Sequence, residues 1–167
     1  MSTAVRVTVR AHAVTYVTYK LLTSLKTIIR ESGLDPAHLT NQWAVLERGI
    51  TRWLDTEDLE ELHLEVFHPH IDALIGRWDF EICYEYTGDG AFSADSDAIY
   101  YHLRKAGVWP DDCAYRIVAT TKPGRPDVEG WSSTTLRSTA GFVRQSIGTA
   151  IDGSGVRASG SYWRKVS

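Results

Sequence analysis

Thr120-Thr121-Lys122-Pro123-Gly124-Arg125-Pro126-Asp127-Val128-Glu129-Gly130-Trp131 is the stretch whose reading decides the fold. Pro123, Gly124 and Pro126 stop whatever regular element precedes them, and Gly130-Trp131 returns the chain to apolar ground. Everything from Lys122 to Ser167 is too rich in Gly, Ser and Thr for a long helix. It still carries Trp131, Leu136, Phe142, Val143, Ile147, Ile151, Tyr162 and Trp163, too much apolar surface for a disordered tail. Such a segment must lie on the rest of the chain, and the reading is that it wraps it.

Charge supports a docked tail. Residues 1–121 hold 11 Lys/Arg against 18 Asp/Glu, a net of −7, whereas residues 122–167 hold 7 against 3, a net of +4. An acidic body followed by a basic tail favours docking of one on the other. The same division argues against a nucleic-acid groove on the body, because phosphate binding needs a basic surface. No apolar run reaches the length of a membrane span. Cys83 and Cys113 are too few for a disulfide framework and are expected as buried thiols in a reducing compartment. The basic, acid-free start of the chain has the composition of a transit peptide, but it overlaps a helix that the core needs, and no secretory apolar region is present, so a cytoplasmic location is expected.

Upstream of the tail the elements alternate in kind. Residues 2–10 alternate apolar and polar and are expected as an edge strand or extended arm. Val14, Val17, Leu21, Leu25 and Ile28 mark a helix from about Ala13 to Ser32, closed by Gly33. A second helix, from Pro36 or Leu39 to Leu54, presents Leu39, Trp43, Leu46, Ile50, Trp53 and Leu54 on one core face. Two strands follow, Leu62–Phe67 and Arg77–Tyr86. In the second, Trp78, Phe80, Ile82, Tyr84 and Tyr86 alternate with Asp79, Glu81, Cys83 and Glu85, the pattern of a hairpin with one buried face. With Glu65, the other face is acidic and needs a cover, for which Arg137 and Arg144 are candidates. A third helix at about Asp97–Gly107 and a third strand at Cys113–Thr121 complete an α+β arrangement: an antiparallel sheet with three main helices on one face and open strand edges.

Signatures of chemistry are sparse. His68-x-His70-x-Asp72 is the one cluster with metal-ligand residue types, interrupted by Pro69. Gly153-x-Gly155-x-x-Ala158 matches the dinucleotide fingerprint in letters but has no following helix and no βαβ unit. There is no phosphate-binding loop, nucleophile elbow or zincin motif, so no catalytic set and no cofactor are expected.

The order of elements, together with Thr15-Tyr16-Val17-Thr18, Ile28-Ile29-Arg30-Glu31-Ser32-Gly33-Leu34, Leu46-Glu47-Arg48-Gly49-Ile50, Ala98–Gly107 and above all Thr120–Trp131, resembles the bacterial HORMA domain proteins of CD-NTase (CBASS) antiphage systems. The resemblance spans the chain and implies one domain over residues 1–167, with a core of about 1–121 and a C-terminal safety belt of about 122–167. It implies that the belt closes around a closure-motif peptide, which adds a strand to a sheet edge, here Cys113–Thr121. It further implies a CD-NTase nucleotidyltransferase activated by the closed complex, an AAA+ ATPase that reopens it, and in some systems a second HORMA protein. Pro123, Gly124, Pro126 and Gly130 are then expected as the belt hinge, with Gly148, Gly153, Gly155 and Gly160 allowing further rearrangement. Tyr115, Ile117 and Ala119 are expected as the pairing strand, and Trp131, Phe142, Val143 and Ile147 as apolar peptide-binding anchors. Two other readings stand beside this one: a small metal-dependent hydrolase using His68, His70 and Asp72, and a static strand-edge scaffold whose tail is simply two further strands.

Overall fold

The computed structural model describes residues 3–85 and 92–166, with side chains from Arg10 onward. Helix α1 spans Thr3–Glu31 and buries Val14, Val17, Leu21, Leu25 and Ile28 along one stripe. Its end is a Schellman turn. Leu34 N–H donates to Ile29 O and Gly33 N–H to Arg30 O, with Gly33 at φ 89°, a conformation open to glycine at no steric cost. The expected arm at residues 2–10 is therefore helical from Thr3. Val5 and Val9 alternate with polar residues, but they also extend the four-residue series Ala13–Val17–Leu21–Leu25, and the longer period prevails.

The expected second helix is two, α2 at Ala37–Asn41 and α3 at Trp43–Asp55, divided at Gln42. Leu46, Ile50, Trp53 and Leu54 are buried as expected, whereas Trp43 sits half-buried and donates from Nε1 to Glu47. Strands β1 (Leu59–His68) and β2 (Ala73–Tyr84) form the hairpin. Leu62, Leu64, Val66, Trp78 and Phe80 are buried toward the helices, packed against α1 and α3. Strand β3 (Phe92–Ala94) precedes α4 (Ser96–Ala106), which is capped by the Asp95 carboxylate accepting from Ala98 N–H and ends at Gly107. Strand β4 (Ala114–Thr121) pairs with β1. Tyr86 and Gly88-Asp89-Gly90 lie outside the described residues.

The tail supplies two long strands, β5 (Phe142–Gly153) and β6 (Val156–Lys165). The six-stranded antiparallel sheet has the order β3-β5-β6-β2-β1-β4, so the tail hairpin extends the β2 edge and β4 ends the sheet on the opposite side. Val156, Ala158 and Tyr162 of β6 and Ile151 of β5 belong to the core. Gly153 and Gly160 serve this packing, since a Cβ there would lie 2.5 Å from Val17 and 2.7 Å from Ile147. To the three principal strands read upstream of the tail the sheet adds the short β3, which the sequence reading does not anticipate, and β5 and β6, expected only under the alternative of a tail made of two further strands. Exposed Arg144, Gln145 and Ser146 give β5 no apolar alternation.

Two smaller expectations change. Cys83 is exposed on the outer face of β2 while Cys113 is half-buried, and both are free thiols. Burial, reinforced by Asp112 and Asp111, raises the pKa of the Cys113 thiol. The His68, His70 and Asp72 side chains do not converge. His68 pairs with Asp112 at 3.0 Å, and Asp72 is taken by Arg137. Among the described residues no group of three or more His, Cys, Asp or Glu is placed to hold a metal ion. Nor is any described helix long and apolar enough to cross a membrane.

Candidate functional site: an arch over an open strand edge

Lys122 N–H donates to Asp58 O, and the chain then turns through Pro123-Gly124 onto α3. Two indoles clasp it there reciprocally: Trp53 Nε1 donates to Pro126 O at 2.8 Å and Trp131 Nε1 donates to Val45 O at 2.9 Å. The two rings meet edge to face with centroids 4.9 Å apart, a geometry that aromatic quadrupoles favour. Gly49 makes room for this, because a Cβ there would lie 2.3 Å from Trp131 Nε1. Gly130 does the same from the other side, at φ 91° and with its Cβ direction aimed at Val45.

From Trp131 the chain rounds the end of the sheet to its outer face. Arg116 of β4 donates to Thr134 Oγ1 at 2.7 Å and to Thr135 O at 2.6 Å. The far end of the arch is fixed by Arg137. Its backbone N–H donates to Glu65 Oε2 at 2.7 Å, its guanidinium pairs with Glu65 and Asp72, and it lies 3.7 Å over the Phe67 ring. Glu65 has no exposed surface and also receives Arg116 at 2.6 Å. A carboxylate buried this deeply needs a counter-charge, and left with neither guanidinium it would be an unpaired buried charge. The acidic face is thus covered by the basic tail, through Glu65 rather than Glu81. Arg144, the other candidate, donates to Ser161 Oγ, and the exposed Glu85 meets Arg157.

Between β4 and the arch lies a cleft of about 190 Å³, lined by Trp53, Ile117, Val118, Ala119, Thr121, Arg125, Trp131, Ser132, Ser133 and Thr134. Among the described residues, the backbone of 123–135 makes no backbone–backbone hydrogen bond to β4, so the main-chain donors and acceptors on the outer edge of β4 stay available. Beneath it, buried polar groups tie the strands together. His63 Nδ1 lies 2.6 Å from Asp79 Oδ1 and His63 Nε2 lies 2.8 Å from Thr120 Oγ1. Arg77 and Trp163 Nε1 also donate to Asp79. Burial alone would raise the Asp79 pKa, but hydrogen bonds from His63, Arg77 and Trp163 hold it below the usual carboxylate range.

The seven residues expected to bind peptide fall into separate groups. Ile117, Ala119 and Trp131 meet in the cleft. Tyr115 shares their face of β4 but is buried, its hydroxyl donating to Asp35 O and accepting from Leu39 N–H. Phe142, Val143 and Ile147 lie on β5, separated from β4 by three strands. Of the expected hinge residues, Pro126 and Gly130 are pinned on α3, while around Gly124 a Cβ would meet nothing within 4 Å. Gly49, Trp53, Glu65, Arg116 and Arg125 complete the site. The sequence shows Trp53 and Glu65 only as one core and one acidic residue among several.

Comparison with known proteins bears on this geometry. A chain of the Mitotic Checkpoint Complex crystal structure superposes with a TM-score of 0.73 at 10% identity, over 92% of this chain and 99% of that one. HTP-2 of C. elegans bound to the HIM-3 closure motif gives 0.59 at 15% identity, over 93% and 88%. The E. coli MS115-1 CdnC:HORMA-deltaN complex gives 0.58 at 12% identity, over 95% and 90%. No curated protein matches the chain. The likenesses to solved structures establish a HORMA-like α+β fold, and the family model described as Bacterial HORMA domain 2 matches residues 2–166. The chain belongs to that bacterial HORMA family.

Proposed function

We propose that this chain is a peptide-binding signalling adapter in antiphage defence. Its belt closes around a closure-motif peptide, and the closed complex binds and activates a CD-NTase that makes a cyclic oligonucleotide. The observation that carries the reading is the unpaired β4 edge lying beneath an arch fixed at both ends, by Trp131 on α3 and by Arg137 on Glu65. An extended peptide in the cleft would satisfy the edge through main-chain hydrogen bonds while alternate side chains read its sequence. The likeness to a CdnC:HORMA complex and to closure-motif complexes supports the same role. An AAA+ ATPase that reopens the belt, and a second HORMA protein in some pathways, complete the proposal.

Truncation at Thr121 does not test it cleanly, because it removes β5 and β6 with their core residues. Peptide-library selection on the full chain does. Enrichment of a short motif, bound with new hydrogen-exchange protection in β4 and residues 123–137, is the expected result. The unbroken pairing of β6 with β2, and the pairing of β5 with β6 along its length despite two register shifts, favours a static tail as the second reading. That reading gains if the tail's protection is the same with and without the selected peptide. Failure to enrich any motif sinks the peptide-binding role.

A further inference from the structure

We infer that the ligand of this cleft is an extended peptide with an acidic residue two positions from an apolar one. The inference rests on the proposed belt mechanism and adds the ligand's chemistry. The helix-side row of β4 runs Ile117, Ala119, Thr121, and Ile117 and Ala119 with the Trp53 and Trp131 rings form a small apolar floor in a lining that is otherwise largely polar. A side chain reaching this floor from a strand paired to β4 gains most by being apolar. Among the residues lining the cleft Arg125 carries the one charge, and none of them is a carboxylate.

Arg125 is preorganised. Its guanidinium stacks 5.0 Å over the Trp53 ring, and its side chain retains 23% of its exposure. Among the described residues its ion-pair partner is Asp127, at 2.8 Å, whose side chain is fully exposed, and it also donates to Pro126 O at 3.4 Å. An exposed ion pair contributes little and exchanges readily for a better placed carboxylate. Side chains two residues apart on a strand share a face, roughly 7 Å apart. Arg125 lines the same cleft as Ile117 and Ala119, and the acid is accordingly assigned one same-face step from the apolar side chain. Ser132, Ser133 and Thr134 also line the cleft and make that part of it polar, which suits the intervening residue.

The test is position-resolved selection from a random peptide library on the full chain, followed by fluorescence anisotropy with the best peptide. Asp or Glu should be enriched two positions from an enriched Val, Ile, Leu, Met or Phe. Replacing that acid by Lys should weaken binding by about tenfold, as expected for exchanging a part-buried ion pair for a repulsion. Arg125→Glu should reverse the preference in favour of the Lys peptide. Asp127→Asn, at a fully exposed site, should strengthen the acidic peptide by freeing Arg125. A motif enriched without an acidic position, or binding indifferent to Arg125→Glu, overturns the inference while leaving the belt mechanism standing. No enriched motif of any kind overturns both.

Discussion

At the scale of single residues, Asp79 illustrates how a polar group buried in a sheet can hold strands together. It lies on β2, its carboxylate receives Arg77 of the same strand and Trp163 of β6, and through His63 of β1 it reaches Thr120 of β4. These hydrogen bonds overcome burial and keep its folded pKa below the value near 3.9 of an unfolded aspartate. A group with a depressed folded pKa stabilises the fold fully above its unfolded pKa, and that stability is lost as pH falls through the folded value. Wild type should therefore lose Tm more steeply than Asp79→Asn once the pH drops below about 4, so that the gap between them narrows. Melting curves from pH 7 to pH 2 decide this, and a gap that stays constant with pH would show that Asp79 contributes no linked protonation. The sequence placed Asp79 on an acidic face expected to need an external cover. Its partners are instead mostly strand neighbours, and only the register of four strands brings them together.

At the scale of elements, the limb of residues 125–131 is held on α3 by a close fit as much as by its two indole hydrogen bonds. A Cβ built on Gly130 lies 3.6 Å from the Val45 Cβ, inside the roughly 3.5–4.5 Å that a disulfide spans. In a Cys83→Ser, Cys113→Ser background, Val45→Cys with Gly130→Cys should oxidise and lock the limb down, at a cost in backbone strain because Gly130 lies at φ 91°. If the belt must leave α3 to admit a ligand, peptide uptake by the oxidised protein should slow by more than about tenfold, or about 1.4 kcal/mol of barrier, and recover on reduction. Equal uptake rates in both redox states would mean that peptides thread beneath a stationary limb. Legibility from sequence divides along the same lines. The hairpin could be read because apolar Leu62, Leu64, Val66, Trp78 and Phe80 alternate with polar His63, Glu65 and Asp79, a chemical period of two that holds although both faces of β1 are buried. The start of α1 could not, since Val5 and Val9 satisfy the strand and helix periods alike. Trp131 was legible as an apolar residue just past a Pro/Gly break. Its seat on Gly49 was not, because a glycine inside a helix advertises nothing until a ring is pressed against it.

At the scale of the whole molecule, the tail begins beside β4, crosses α3, rounds the open edge, spans the outer face and ends as two strands against β2. The split between a −7 body and a +4 tail announces that docking, but it cannot say which carboxylate is the anchor. Burial singles out Glu65, and removing either of its two arginines has a different meaning from removing Glu65 itself. Glu65→Gln would leave Arg116 and Arg137 without their shared counter-charge, a change of the kind that costs about 3–5 kcal/mol and confounds gating with misfolding. Arg137→Ala is the cleaner variant, since Arg116 still neutralises Glu65 and the backbone N–H at position 137 still donates to it. What it removes is the ion pairing to Glu65 and Asp72 and the cation–π contact with Phe67, together worth about 1–2 kcal/mol of hold on the arch. If that hold gates the cleft, both association and dissociation of a selected peptide should accelerate by about tenfold while Kd changes little. Stopped-flow fluorescence with a labelled peptide measures the two rates separately. A rise in the dissociation rate alone, with Kd weakened in proportion, would instead make Arg137 a ligand contact, and the arch would not be the gate.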